Sequence, residues 1–366
     1  MRVAYDARHA ARGLGISTFV MQLARELVAV GGIELIWLGD PALAPAGVAG
    51  AVRVDRLPYP VLDGPVGRAL AKRLRVDVMH FTGNTGWGRI GPVPSVLTLH
   101  DLIFLSTSVH GRSARQIVGH RYERRLIDRS VPAADVLAVP SETVAREVSA
   151  RLGAGAAPRV VHEGVAAPEG VSSSAVGIRS AGSRPYLVAF AGRDPRKRTA
   201  AVVDAWRSLA PLGVALRLLA SGGLPPDLRA SLEPDRLSGA VEISEHLPNH
   251  ELWRVLAGAL ALAYPSREEG FGLPVLEAMA AGTPVLTGLA EVTREVGGDA
   301  IIMLDERDVA GSIAASVRRL HADPAYARSV VERGRRRAAE FTWRATAEGY
   351  LDLYRAATLG DRRAPR

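Results

Sequence analysis

The sequence predicts an α/β protein built from two doubly wound parallel sheets. Three observations carry this. Short apolar runs alternate with segments of helical period along the chain. One stretch poor in apolar residues and rich in Pro, Ser and Gly, residues 169–185, interrupts the alternation. The length, 366 residues, exceeds one ordinary compact domain and suits two. Hydrophobic residues make up 48% and charged residues 23%, a balance that supplies two cores and excludes a disordered chain.

The elements follow in order. In the first half, strands are expected at residues 2–6, 33–38, 76–81, 95–99, 136–139 and 159–162. Ile16, Phe19, Val20, Leu23 and Leu27 recur at three- and four-residue spacing, so a helix separates the first two strands. Ser17 or Thr18 is its expected cap and Gly31-Gly32 its stop. In the second half, strands are expected at 186–191, 214–220, 241–244, 259–264, 284–287 and 301–304, and three helical segments end the chain. The expected domains are 1–168, completed by a C-terminal helix at 342–358, and 186–341, with 169–185 as linker. Strand–helix alternation of this kind gives parallel sheets, which bind ligands at the carboxyl ends of their strands. Two such sheets would place a cleft between the domains.

Composition excludes several chemistries. The chain has no cysteine, so disulfide scaffolds, Cys-ligated zinc and thiol nucleophiles are ruled out. No two aspartates stand two residues apart, and no His cluster has zinc spacing, so no metal site is expected. Met1 to Asp6 reads as a buried strand with an acid where an export signal would be apolar, and a cytoplasmic protein is expected. The net charge is +8, with 46 basic against 38 acidic residues. Only Lys72 and Lys197 are lysine. A basic balance suits polyanions or phosphorylated ligands, but no nucleic-acid-binding module is recognisable and no nucleic-acid partner is expected.

Four segments carry chemistry. The richest runs from Tyr264 to Val285. There an apolar strand ends, a loop with Gly270 and Gly272 follows, Pro274 suits a first helical turn, and Gly282 suits the stop. Backbone N–H groups at such a helix start, with the helix dipole, make an anion site. Glu269 in the loop and Glu277 in the first helical turn can face one ligand, and carboxylates accept hydrogen bonds from sugar hydroxyls. Taken singly, a solvated loop acid and a helix-terminal charge would look the same.

The second segment, Phe190 to Thr199, follows the first strand of the second half. It places Arg193, Arg196, Lys197 and Arg198 on a glycine turn, a pattern suited to a diphosphate, although a solvated basic turn is the alternative. It is not a P-loop, which would need Gly at 197. The third is Leu99-His100-Asp101-Leu102 at the end of a strand, where His100 is structural or orients a ligand and Asp101 is placed to hold its ring. The fourth, Arg12-Gly13-Leu14-Gly15-Ile16-Ser17, precedes the first helix. The dinucleotide fingerprint fails there, because its third glycine would fall at Thr18.

The Tyr264–Val285 string resembles the E-x7-E signature of retaining glycosyltransferases of family 4, which have the GT-B fold of two Rossmann-like domains facing a central cleft. The resemblance extends over nearly the whole chain. It implies that Glu269 and the backbone of Gly270, Phe271, Gly272 and Leu273 meet the donor sugar, and that Glu277 binds the ribose hydroxyls of a nucleotide sugar. Arg193 and Lys197 resemble the family's diphosphate binders, and His100 the acceptor-domain His that faces the donor sugar. Gly13 and Gly15 resemble the N-terminal Gly-Ile-Gly loop under the donor phosphates, though Ile16-Ser17 stands where an Arg-Tyr pair is common. Glu163 replaces the Asn of an Asn-Gly pair usual after a strand.

The implied activity is metal-independent, retaining transfer of a sugar from a UDP- or GDP-linked donor to an acceptor hydroxyl of a glycan, glycolipid or small glycoside. No cofactor is expected, with the nucleotide sugar as co-substrate. A sugar-nucleotide epimerase on the same fold is an alternative, but the chain shows no acid/base set for it. A glycoside hydrolase using Glu269 and Glu277 is another, against which the Arg193/Lys197 cluster argues. The stretch from Arg112 to Arg129 carries six arginines, with Val118, Tyr122 and Leu126 at helical spacing. It reads as a solvated helix face, or as a basic amphipathic helix in peripheral contact with anionic membrane.

Overall fold

The computed structural model describes residues 1–12, 15–55, 66–86, 91–103, 114–152, 157–168 and 184–360. The chain divides into two compact units, Met1–Gly164 with Thr342–Arg366, and Val165–Phe341. The first unit therefore takes back the C-terminal helix, Trp343–Thr358.

In the first unit the chain runs β1 (Arg2–Asp6), α1 (Gly15–Val30), β2 (Glu34–Leu38), β3 (Gly50–Val52), α2 (Gly67–Leu74), β4 (Val78–Phe81), β5 (Ser95–Thr98), α3 (Ala114–Ala133), β6 (Val136–Val139), α4 (Glu142–Leu152) and β7 (Arg159–Val160). The seven strands pair in parallel in the order β3-β2-β1-β4-β5-β6-β7. The register sets Tyr5 beside Trp37 on one side and His80 on the other. β1, β4, β5 and β6 are nearly all buried, as a parallel sheet covered on both faces requires. α1 starts at Gly15, earlier than a cap at Ser17 or Thr18 would allow. Ser17 instead donates to the Ala10 carbonyl at 2.5 Å. Gly31 and Gly32, both left-handed, end the helix as expected.

The C-terminal helix is bound to this sheet by a buried polar chain. Tyr354 Oη lies 2.7 Å from His80 Nδ1, His80 Nε2 lies 2.8 Å from Thr98 Oγ1, and Thr98 Oγ1 lies 2.8 Å from Tyr350 Oη. Gly164 is required where the chain leaves the unit, because a Cβ there would come within 2.2 Å of the Trp343 nitrogen.

The second unit repeats the plan. It runs β8 (Tyr186–Phe190), α5 (Thr199–Leu209), β9 (Ala215–Leu219), α6 (Pro226–Ser231), α7 (Glu233–Leu237), β10 (Val241–Ser244), α8 (Asn249–Gly258), β11 (Ala261–Ala263), α9 (Leu273–Ala280), β12 (Val285–Thr287), α10 (Glu291–Gly297), β13 (Ile302–Met303), α11 (Val309–Ala322) and α12 (Pro324–Ala339). The sheet order is β10-β9-β8-β11-β12-β13, all parallel. The order reverses between β8 and β11, and the loops leaving those two strands carry the cationic turn and the Glu269 loop. A crevice at the carboxyl ends of strands, where the order reverses, is where such sheets bind ligands.

Candidate functional site

The turn after β8 is built by its own residues. Asp194 Oδ1 accepts from Arg196 N at 3.0 Å and caps a single 3₁₀ turn, Pro195–Lys197, with proline at its start. Arg198 then takes φ 49°, a left-handed conformation, so the chain breaks cleanly into α5. Arg193 is exposed, and its Nε donates to the Leu224 carbonyl at 3.3 Å. Lys197 is half-buried, its stem lying along Gly192 and its Nζ donating to the Ala191 carbonyl at 3.4 Å. Burial and the neighbouring Arg196 charge lower the Lys197 pKa, opposed by the Glu269 and Asp194 carboxylates.

The loop after β11 meets that turn. Arg196 Nη1 donates to Glu269 Oε1 at 2.7 Å, to the Glu268 carbonyl at 2.6 Å and to Ser266 Oγ at 3.3 Å, while its Nε donates to Asp194 Oδ2 at 3.0 Å. The backbone joins too, with Arg267 N donating to the Arg196 carbonyl at 3.1 Å. Ser266 Oγ, buried, donates to Glu269 Oε1 at 2.6 Å. The buried Tyr264 phenol also hydrogen-bonds Glu269. Burial and then the Glu269 charge push its pKa well above the usual range, with Glu277 adding to the same effect. Both carboxylates of the E-x7-E string thus act on one tyrosine.

α9 opens at Gly272, which takes φ 89° and lends no side-chain cap, with Pro274 in the first turn. Gly282, φ 77°, follows its end. Glu277 begins the second turn rather than lying in the first, because the helix starts at Leu273. Leu273 and Phe271 are buried, and the Phe271 ring packs edge-on against Phe341 at 6.0 Å. These side chains anchor the loop.

In the first unit His100 is buried, and its ring is held by Glu163, not by Asp101. Nδ1 lies 3.0 Å from Glu163 Oε1 and Nε2 lies 2.9 Å from the Thr82 carbonyl. Phe19 packs edge-on to the ring at 4.7 Å, and Asn84 Oδ1 accepts from the His100 backbone N at 2.7 Å. Burial alone would lower the His100 pKa. The hydrogen bond and charge of Glu163, with the Thr82 carbonyl and Asp101, outweigh it and raise the pKa. Asp101 Oδ1 instead accepts from Ile103 N at 3.1 Å.

Gly15 opens α1, and a Cβ there would meet nothing within 4 Å, so the domain's own packing does not demand a glycine. Gly13 and Arg112 lie outside the described residues. On α3, Arg121, Arg124, Arg125 and Arg129 are exposed and Leu126 and Ile127 buried. Tyr122, expected on the apolar face, is 42% exposed. Among the described residues no group of three or more His, Asp or Glu is placed to hold a metal ion, and no helix is long and apolar enough to cross a membrane.

Residues 14–167 match the family described as Glycosyltransferase Family 4, and residues 178–337 match Glycosyl transferases group 1. A D-inositol 3-phosphate glycosyltransferase of Saccharomonospora viridis is 31% identical over 316 residues, covering 77% of this chain and 70% of that protein. The chain belongs to glycosyltransferase family 4. A glycogen synthase of Mycobacterium tuberculosis is 31% identical over 283 residues, covering 74% of this chain and 65% of that protein. An O-antigen chain mannosyltransferase B of Escherichia coli is 30% identical over 175 residues, covering 46% of this chain and 45% of that one. The family 4 chain thus spans less than two thirds of these last two relatives.

Among solved structures, sucrose-phosphate synthase from Thermosynechococcus elongatus superposes with a TM-score of 0.72 at 20% identity, covering 97% of this chain and 98% of that one. The Anabaena protein HepE, solved with UDP and glucose, superposes with a TM-score of 0.73 at 14% identity, covering 97% of this chain and 100% of that one. At these identities the likeness is one of fold, and the fold of this family 4 protein is GT-B.

The sequence shows Arg196 as one cation of the turn that holds Arg193 and Lys197, but not that it carries the Glu269 contact. Ser266 and Tyr264 were likewise missed as partners of Glu269. The replacement of Asn by Glu163 was visible in the sequence, but not its pairing with His100, 63 residues away.

Proposed function

We propose that the protein is a retaining, metal-independent glycosyltransferase that moves a sugar from a UDP- or GDP-linked donor to an acceptor hydroxyl of a glycan, glycolipid or small glycoside. The observation that carries this is the joining of the Lys197 turn to the Glu269 loop through Arg196. Cations for a diphosphate and a carboxylate for sugar hydroxyls then stand on one frame at the carboxyl ends of β8 and β11. HepE, with the same fold, was solved with UDP and glucose, which supports a nucleotide-sugar donor.

In this reading Glu277 accepts hydrogen bonds from the ribose hydroxyls and Glu269 from the sugar. Arg193, Lys197 and the backbone at Gly272–Leu273 stabilise the diphosphate as its charge develops. The sugar C1–phosphate oxygen bond breaks and a C1–acceptor oxygen bond forms on the same face. The acceptor proton passes to the departing phosphate oxygen, so no protein nucleophile is needed. His100 is held on the first unit, its ring nitrogens engaged by Glu163 and Thr82.

A transfer assay in EDTA, with the anomeric configuration of the product read by NMR, tests this. Undiminished activity and retained configuration are expected. A strict Mg²⁺ requirement or an inverted product would overturn the respective part.

A further inference from the structure

We propose that Arg196 is a positioning residue for the Glu269 carboxylate, locking the turn after β8 to the loop after β11 so that both halves of the donor site hold one geometry. The proposal rests on the nucleotide-sugar reading above and deepens it, because it makes the Arg196 link a determinant of turnover.

The geometry separates Arg196 from its cationic neighbours. Arg193 turns toward the Leu224 carbonyl and Lys197 toward the Ala191 carbonyl, both back along the strand ends of β8 and β9. Arg196 alone of the three reaches across to the loop that carries Glu269. Its planar fork is spent on that crossing: Nε grips Asp194 in its own turn, and Nη1 grips Glu269, Glu268 and Ser266 in the other. Charge-assisted bonds of this kind are roughly twice as strong as neutral ones. Four acceptors held by one side chain that is 20% exposed make a joint, not a solvated surface pair.

The joint bears on one atom in particular. Glu269 Oε1 receives both Arg196 Nη1 and Ser266 Oγ, which fixes the carboxyl plane. A carboxylate has about four acceptor positions, so these donors set its rotamer and still leave capacity for a ligand hydroxyl. Without Arg196 the carboxylate keeps Ser266 and Tyr264 but loses its hydrogen bond to the cationic turn, and the loop loses the bond to the Glu268 carbonyl. A lysine at 196 would supply charge at one point and could not span Asp194 and Glu269 together.

The test uses the full chain as wild type, Arg196→Ala, Arg196→Lys, Glu269→Gln and the double variant Arg196→Ala/Glu269→Gln. Calorimetry is run with UDP, UDP-glucose, GDP and GDP-mannose, followed by transfer kinetics with the donor that binds. A residue acting through Glu269 predicts that Arg196→Ala keeps the free diphosphate affinity within about threefold while kcat falls by about 100-fold. The double variant should be no slower than Glu269→Gln alone, within about threefold. Arg196→Lys should behave as Arg196→Ala does, and it carries the test if the alanine variant fails to fold.

Multiplying losses in the double variant, or a diphosphate affinity that drops tenfold or more in Arg196→Ala, would overturn the proposal and make Arg196 a phosphate contact. Unchanged kcat would overturn it as well. If the wild type itself binds none of the four probes, the nucleotide-sugar reading falls and the proposal with it, a failure visible before any variant is made.

Discussion

His100 Nδ1 lies 3.0 Å from Glu163 Oε1 while Nε2 lies 2.9 Å from the Thr82 carbonyl. The Thr82 carbonyl can only accept, so Nε2 donates, and the Glu163 carboxylate beside Nδ1 favours the doubly protonated ring. The folded pKa is raised above 6.5, so this stabilisation is complete below that value and lost as the pH rises through the folded pKa. Removing one member of a buried pair costs about 3 kcal/mol or more. Glu163→Gln should therefore lower the melting temperature more at pH 6 than at pH 9 in calorimetric scans. An equal loss at both would mean that the ring is neutral.

His80 has the opposite sign. Burial first, then the nearby His100 charge, against Asp6, hold its pKa down from 6.5 to about 3. It stays neutral in the fold, while the unfolded chain takes a proton near 6.5. Stability from this group is present above 6.5 and falls by about 1.4 kcal/mol per pH unit as the pH drops toward 3. Urea melts at pH 7, 5 and 4 should show that decline in the wild type. His80→Gln should be less stable at pH 7, through its altered bonds to Thr98 and Tyr354, but flatter with pH. A parallel decline in both proteins would show that other groups set the acid limit.

Lys197→Ala should reduce turnover by about 100-fold with the fold intact, the usual effect of removing one preorganised charge from a transition state. Lys197→Arg should not restore it. The half-buried stem runs beside Gly192 and its compact ammonium reaches the Ala191 carbonyl, a placement that a planar guanidinium would not reproduce. Steady-state rates and far-ultraviolet circular dichroism decide. Wild-type turnover in Lys197→Ala would remove the diphosphate role.

Glu277→Ala should weaken nucleoside diphosphate binding by about 10- to 150-fold, since a charged group accepting ribose hydroxyls is worth roughly 1.5–3 kcal/mol. Titration calorimetry reads this directly. Unaltered affinity would place the ribose elsewhere.

The sheets were legible because buried parallel strands are written as apolar runs, as at Val136–Val139 and Ala261–Ala263. β3 was not legible. Gly50–Val52 is three residues of half-exposed edge whose only strand signal is its pairing with Ile36, Trp37 and Leu38. Several expected strands shortened at their ends, 259–264 to Ala261–Ala263 among them, since apolar residues continue past the last ladder bond. The Glu269 string was legible as loop and helix start. Its frame was not: Arg196 reaches Glu269 across 73 residues and Glu163 reaches His100 across 63. Such pairs leave no period or spacing, and the single 3₁₀ turn that aims Arg196 is too short to show one.

The most direct measurement of the central account, a diphosphate site on the second unit, is a thermal-shift panel of UDP, GDP, ADP and TDP on wild type, Lys197→Ala and Glu277→Ala. At about 100 times Kd a ligand adds about 2.7 kcal/mol, which raises the melting temperature of a domain of this size by about 5–10 °C. A diphosphate site on the second unit predicts such a rise with UDP or GDP, and a markedly smaller one in both variants. No rise with any of the four, or a rise that both variants keep in full, would contradict it.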